Sequence, residues 1–169
     1  MLMKTTIKAQ KGVGMMEVLV SMLILSIAVL GFVALQVRAT SATDEALSRS
    51  DALIILNGLA ERIRLNSNGD YKAVIPATQP ACVSARNCNE NNQALADLFE
   101  QKSIADYKGI RLGVVDCVGT SANQSRLCLI AAWDNTTATI MAKNQKNRCL
   151  NSDDGRYAED SHCLVLEAY

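Results

Sequence analysis

Val13–Leu35 reads VGMMEVLVSMLILSIAVLGFVAL, 23 residues that carry one charge, Glu17. From Val18 to Leu35 the run is uncharged. Wound as a helix, the segment spans about 35 Å, enough to cross a hydrocarbon layer of about 30 Å. Upstream, Met1–Gly12 holds Lys4, Lys8 and Lys11 and no acid. By the positive-inside rule these lysines favour a cytoplasmic N-terminus, which places everything after the apolar run outside the cytoplasm.

The cysteines agree with that topology. Cys82, Cys88, Cys117, Cys128, Cys149 and Cys163 all lie in the second half of the chain and none falls in the apolar segment. An even number confined to one region suits disulfides formed in an oxidising compartment. Zinc would want close C-x-x-C pairs, whereas the nearest spacing is Cys82-x5-Cys88. The whole chain is balanced at 17 basic and 17 acidic residues. Without the three leading lysines the count is 14 against 17, a net charge of −3. A mildly acidic body with no basic run gives no electrostatic reason to expect a nucleic-acid site.

An ordinary signal peptide would also supply a basic start and an apolar run, with cleavage near Ala39-Thr40-Ser41-Ala42. The run is too long for that, and no clean A-x-A site follows it. Glu17 is the stronger objection. A carboxylate at the centre of a membrane helix costs about 2.5–3.5 kcal/mol on insertion scales, less near the end, and an acid kept at such a cost is a functional candidate.

Lys11-Gly12-Val13-Gly14-Met15-Met16-Glu17-Val18-Leu19-Val20 resembles the processing site of type IV prepilins. In that family a short basic leader ends in Gly, a membrane prepilin peptidase cuts after it, the new N-terminus is methylated, and Glu occupies the fifth mature position. The resemblance implies cleavage between Gly12 and Val13 and N-methylation of Val13, which stands where the family usually has Phe or Met. It also implies that Glu17 pairs with the N-terminal amine of a neighbouring subunit in a filament. Two charges buried in an apolar bundle are tolerated when matched, and one left alone costs several kcal/mol, so such a pair would fix axial register.

Helical character continues beyond the apolar run. Gln36–Leu65 has no proline and one glycine, and Ala42, Ala46, Leu53, Leu56, Ala60 and Ile63 recur at three- and four-residue steps as an apolar stripe. Arg38, Asp44, Glu45, Arg49 and Glu61 fall mostly off that stripe, and Asn66-Ser67-Asn68-Gly69-Asp70 is the stop signal. A continuous helix from Val13 to Leu65 would run about 80 Å; the alternative is two helices with a break near Gly31 or Gln36.

After the stop, Tyr71–Asn92 reads as a loop region, Asn92–Asp106 as a short helix, and Ile110–Val118, Leu127–Trp133 and Cys163–Ala168 as strands. The first two strands flank the polar stretch Gly119–Arg126, suited to a hairpin that would bring Cys117 near Cys128. Sequential pairing, Cys82–Cys88, Cys117–Cys128 and Cys149–Cys163, is the favoured reading among the fifteen connectivities open to six cysteines.

An apolar helix followed by an antiparallel sheet implies an α+β fold, with the long N-terminal helix packed on the sheet. The pilin family has this lollipop architecture, with a C-terminal disulfide-closed loop. The expected divisions are a leader (1–12), a membrane or filament-core half of the helix (13–35), an amphipathic stalk (36–66) and a disulfide-bonded globular head (67–169). Glu17-Val18-Leu19-Val20-Ser21, the chain length and the Trp-ended strand are most similar to the PilV minor pilins.

That resemblance implies a structural protein that initiates or modifies a type IV pilus and supports twitching motility, adhesion or DNA uptake. Its expected partners are major and minor pilins, the prepilin peptidase and an inner-membrane assembly platform. The subunit would sit in the bacterial inner membrane with a periplasmic head before joining the pilus. Two other classes share parts of the pattern: a minor pseudopilin of type II secretion, and a secreted binding domain that uses the apolar run for export.

No catalytic, cofactor or metal site is expected. His162 is the only histidine and abuts Cys163. Asn151-x-Asp153-x-Gly155 lacks the downstream glutamate of a calcium loop. The sequons at Asn123 and Asn135 carry little weight in a bacterial chain.

Overall fold

A computed structural model describes residue 12 and residues 14–120 and 126–168. Met1–Lys11, Val13 and the 121–125 part of the expected hairpin loop, with the sequon at Asn123, lie outside the described residues. The chain divides into two compact units, Met1–Asp44 and Glu45–Tyr169.

Helix α1 runs from Met15 to Leu65 without a break at Gly31 or Gln36. Gly14 opens it, its carbonyl accepting from Glu17 N–H at 2.9 Å. In the first unit every described side chain is exposed. Several hydroxyls of this stretch bond back to the helix: Ser21 Oγ donates to the Glu17 carbonyl, Ser26 Oγ to that of Met22, and Thr43 Oγ1 to that of Ala39. Such back-bonding lets Ser21 and Ser26 sit in an apolar medium without a stranded donor.

In the second unit, α1 buries Ala52, Ile55, Leu56, Leu59, Ala60 and Ile63, a run of three- and four-residue steps. The expected stripe shares only its last three members with this face. Ala42 and Ala46 are exposed and Leu53 is 46 % exposed. Leu53-Ile54-Ile55-Leu56 is apolar on every side, so periodicity alone admits two faces, and packing selects the one through Ala52, Ile55 and Leu59. The helix stops where the sequence says. Asn66 Nδ2 reaches the Glu90 carbonyl at 2.8 Å, and Gly69 fits because a Cβ there would lie 2.5 Å from that same amide nitrogen.

The expected loop region holds a five-residue helix, α2 (Ala81–Ala85), ended by Arg86 in the left-handed region. Helix α3 (Glu90–Tyr107) starts two residues earlier than expected because Asn89 caps it, accepting from Asn92 N–H at 2.8 Å.

Strands β1 (Arg111–Asp116), β2 (Leu127–Ala132), β3 (Thr137–Met141), β4 (Arg148–Asn151) and β5 (Cys163–Ala168) follow. One antiparallel sheet has the order β1-β2-β5, with Val114 opposite Leu129 and Leu129 opposite Leu166. Its centre, LCLIAA, is a continuous apolar run because both its faces are buried. Leu129, Ala131 and Trp133 join the α1 face, Ala94, Leu98 and Ala105 of α3, and Tyr71 in the main core. Ile130 and Ala132 point the other way, onto Ala138, Cys149 and Leu150. That second layer is a parallel pair, β3 with β4, two strands beyond the three expected. The fold is therefore α+β, a long N-terminal helix followed by an antiparallel sheet, with a small extra strand pair on the sheet's outer face.

Candidate functional site

The first candidate is the apolar stretch of α1 around Glu17. Glu17 lies in the first turn of α1, exposed, beside a groove lined by Val18, Ser21, Met22 and Leu25. From Met15 to Val37 the large apolar side chains are all bare, Leu25 at 64 % and Phe32 at 61 % among them. The helix is long and apolar enough to cross a membrane, and none of its most apolar window is buried within the chain. An apolar surface this extensive requires lipid or other protein around it. Gly12 is exposed, and Val13 is outside the described residues.

The second feature is how the head is fastened. Cys82–Cys88 ties α2 to the start of α3, with Cα atoms 4.8 Å apart. Cys117–Cys128 links the end of β1 to β2 at a Cα separation of 5.0 Å, and Cys149–Cys163 joins β4 to β5 at 5.9 Å, locking the second layer to the sheet. All six cysteines are therefore paired.

Two polar clusters, neither visible in the sequence, bind α1 to the rest of the head. At one end, Asp97 of α3 is buried and accepts from Tyr71 Oη at 2.7 Å, Arg62 Nη1 at 3.0 Å and Gln93 Nε2 at 3.0 Å. Burial, reinforced by the bond to Asp97, pushes the Tyr71 hydroxyl well above its ordinary value. Burial would lower Arg62, but its ion pairs with Glu100 and Asp97 outweigh that and raise it.

At the other end stands Glu45, expected to face solvent. Its Oε2 accepts from Trp133 Nε1 at 2.9 Å and lies 3.2 Å from His162 Nδ1, while Oε1 accepts from Arg49 Nε at 2.8 Å. Desolvation acts to raise this carboxyl. The hydrogen bonds from Trp133, Arg49 and His162 prevail and hold it down at about 2. His162 is thus a partner of Glu45, its ring edge-on to Trp133 at 6.4 Å.

The remaining sequence candidates resolve into local structure. Asn151 is buried and accepts from Arg148 Nε, and Asp154 pairs with Lys143 at 3.3 Å, its pKa lowered chiefly by the Arg156 N–H. Cys117, Cys128 and Glu167 approach one another closely enough for a metal, but the two sulfurs are bonded to each other.

The chain thus pairs a bare apolar helix long enough to cross a membrane with a disulfide-braced helix-on-sheet head. Residues 34–99 match the Tt1218-like family, described as type IV pilin Tt1218. Over that stretch the chain is similar to type IV pilins. The matched stretch begins after Glu17 and ends in α3, so it is independent of the processing-site residues on which the sequence resemblance rests. It does not separate the PilV minor pilins from other pilins. Pilins are structural, not catalytic, and assemble with one another. No curated protein and no solved structure matches the chain.

Proposed function

We propose that this chain is a type IV pilin, and specifically a minor subunit that initiates or modifies a type IV pilus, as PilV-type proteins do. The observation that carries the reading is Glu17, an acid in the first turn of a bare apolar helix, four residues after Val13. On this reading Met1–Gly12 is a leader, prepilin peptidase cuts between Gly12 and Val13, and Val13 becomes the methylated N-terminus. Residues 13–35 then serve as membrane anchor and filament core, 36–66 as stalk and 67–169 as head.

Before assembly the subunit spans the inner membrane with its head in the periplasm, where an oxidising milieu supports three disulfides. At the assembly platform Glu17 meets the free amine of a neighbouring pilin, and matching the two charges removes the cost each carries alone in an apolar bundle. Twitching motility, adhesion or DNA uptake would be downstream outputs of the filament, driven by ATP hydrolysis in other proteins. The three-disulfide head favours the pilus over a type II secretion pseudopilin, whose heads commonly carry fewer.

Intact-mass and N-terminal analysis of the mature protein tests the processing. A methylated chain starting at Val13 is expected. A start near Thr43 would identify a secreted domain and overturn the reading.

A further inference from the structure

Along the head portion of α1, apolar burial begins only at Ala52. From Glu45 to Asp51 the side chains are exposed or half-buried, and Leu47 faces solvent. Among the described residues, the polar fastenings of this stretch to other elements are Glu45 with Trp133 and His162, and Asp51 with Lys108 at 3.3 Å. The Asp51–Lys108 pair is well exposed, so it adds little. Glu45 is different in kind, because its donors are already held in place. The Trp133 backbone N–H donates to the His162 carbonyl at 2.9 Å, and the His162 backbone N–H donates to Thr136 Oγ1 at 2.8 Å. The sheet end thus presents an aimed indole N–H and an imidazole nitrogen, and the helix supplies the carboxylate that closes the contact.

We propose that Glu45, Trp133 and His162 form a releasable clasp that docks residues 45–51 of α1 on the head, and that these turns open as a unit while Ala52–Ile63 stays packed. Apolar core and disulfides hold everything from Ala52 onward, and neither reaches the turns before it. A segment with few buried apolar contacts is where local opening concentrates. The clasp therefore sets the boundary between the permanently packed part of the helix and the part that can come away. It does so whichever filament the pilin serves.

Hydrogen exchange with mass-spectrometric readout, on the full-length chain in detergent micelles, tests this. In Glu45→Ala the amides of residues 46–51 should exchange at least about tenfold faster than in wild type, with residues 55–63 and the sheet unchanged. Trp133→Phe, which keeps an aromatic ring but removes the donor, should show the same selective loss. Glu45→Gln retains an acceptor for the Trp133 N–H and should keep most of the protection. Unchanged exchange at 46–51 in Glu45→Ala would overturn the proposal. So would acceleration spread evenly through 55–63 and the sheet, or Glu45→Gln exchanging as fast as Glu45→Ala.

Discussion

Gly113→Ala should be among the most damaging single-methyl changes in this head. Gly113 lies in β1 opposite Ile130 of β2, and β3 crosses over it so closely that an added Cβ would sit 2.2 Å from the Ala138 carbonyl oxygen and 3.1 Å from Ala138 Cβ. An ordinary carbon–oxygen contact is about 3.3 Å, so the two strands must part by about 1 Å. Neither is free to do so. β1 is registered along its whole length to β2, and Ala138 closes the second core over Ile130, Ala132, Cys149 and Leu150, which the Cys149–Cys163 bridge ties to β5. Overpacking typically costs about 1–3 kcal/mol, and because the obstacle here is backbone the upper figure, about 3 kcal/mol, applies. At about 4 °C per kcal/mol for a domain of this size, the melting temperature should fall by about 12 °C. Thermal unfolding of the oxidised full-length protein in detergent, followed by the fluorescence of its single tryptophan, Trp133, would measure it. Gly31→Ala, where an added Cβ meets nothing within 4 Å, is the control and should leave the head unchanged. A Gly113→Ala melt within about 2 °C of wild type would refute the reasoning, because a close approach that costs so little is not one.

Glu45 makes stability depend on acid. Its folded pKa of about 2 lies below the unfolded value of 4.5, so its contribution is present above about pH 4.5 and is lost as pH falls toward 2. The side chain is 31 % exposed, so the full shift is discounted to about 1–2 kcal/mol. Wild type should lose about that much more stability than Glu45→Gln between pH 7 and pH 2.5 in urea titrations, and equal losses would contradict it. Replacing Cys149 and Cys163 together by Ala should cost about 3 kcal/mol against about 2 kcal/mol for the Cys82 and Cys88 pair, since the loop closed is longer, 14 residues against 6 in separation; denaturant midpoints in the reverse order would be inconsistent with that. Tyr71→Phe removes a buried donor from Asp97 and should lower stability by about 1–3 kcal/mol, while an alkaline absorbance titration of wild type should show a late-ionising tyrosine that is lost in Tyr71→Phe.

The elements legible in the sequence were those with a strong local signal. The Asn66–Asp70 stop, β1 and β2 either side of a polar stretch, and β5 at Cys163–Ala168 stand where composition and turn chemistry put them. α3 was legible too, its start shifted by the Asn89 cap. Strands β3 and β4 were not. TATIM and RCLN are short, and their parallel pairing is set by what lies beneath them, the outward face of β2, and by the bridge from Cys149 to β5. The buried face of α1 is legible at Leu56, Ala60 and Ile63 but not at its N-terminal end, because Leu53–Leu56 offers apolar residues on all sides. Glu45 was invisible as a site for a related reason. An acid beside Asp44 and Arg49 reads as solvated, and its partner Trp133 is 88 residues away. Glu17 is the reverse case: a charge conspicuous in the sequence, whose proposed partner lies on another subunit.

That charge is where the account is most directly tested. Filaments sheared from cells carrying Glu17→Ala should contain little or none of this pilin, while the membrane fraction still holds the processed chain beginning at Val13 with its disulfides formed. Wild-type cells should yield it in the filament fraction. If the Glu17→Ala protein enters filaments at the wild-type level, the carboxylate does not pair with a neighbour's amine, and the proposed assembly role of this helix is wrong.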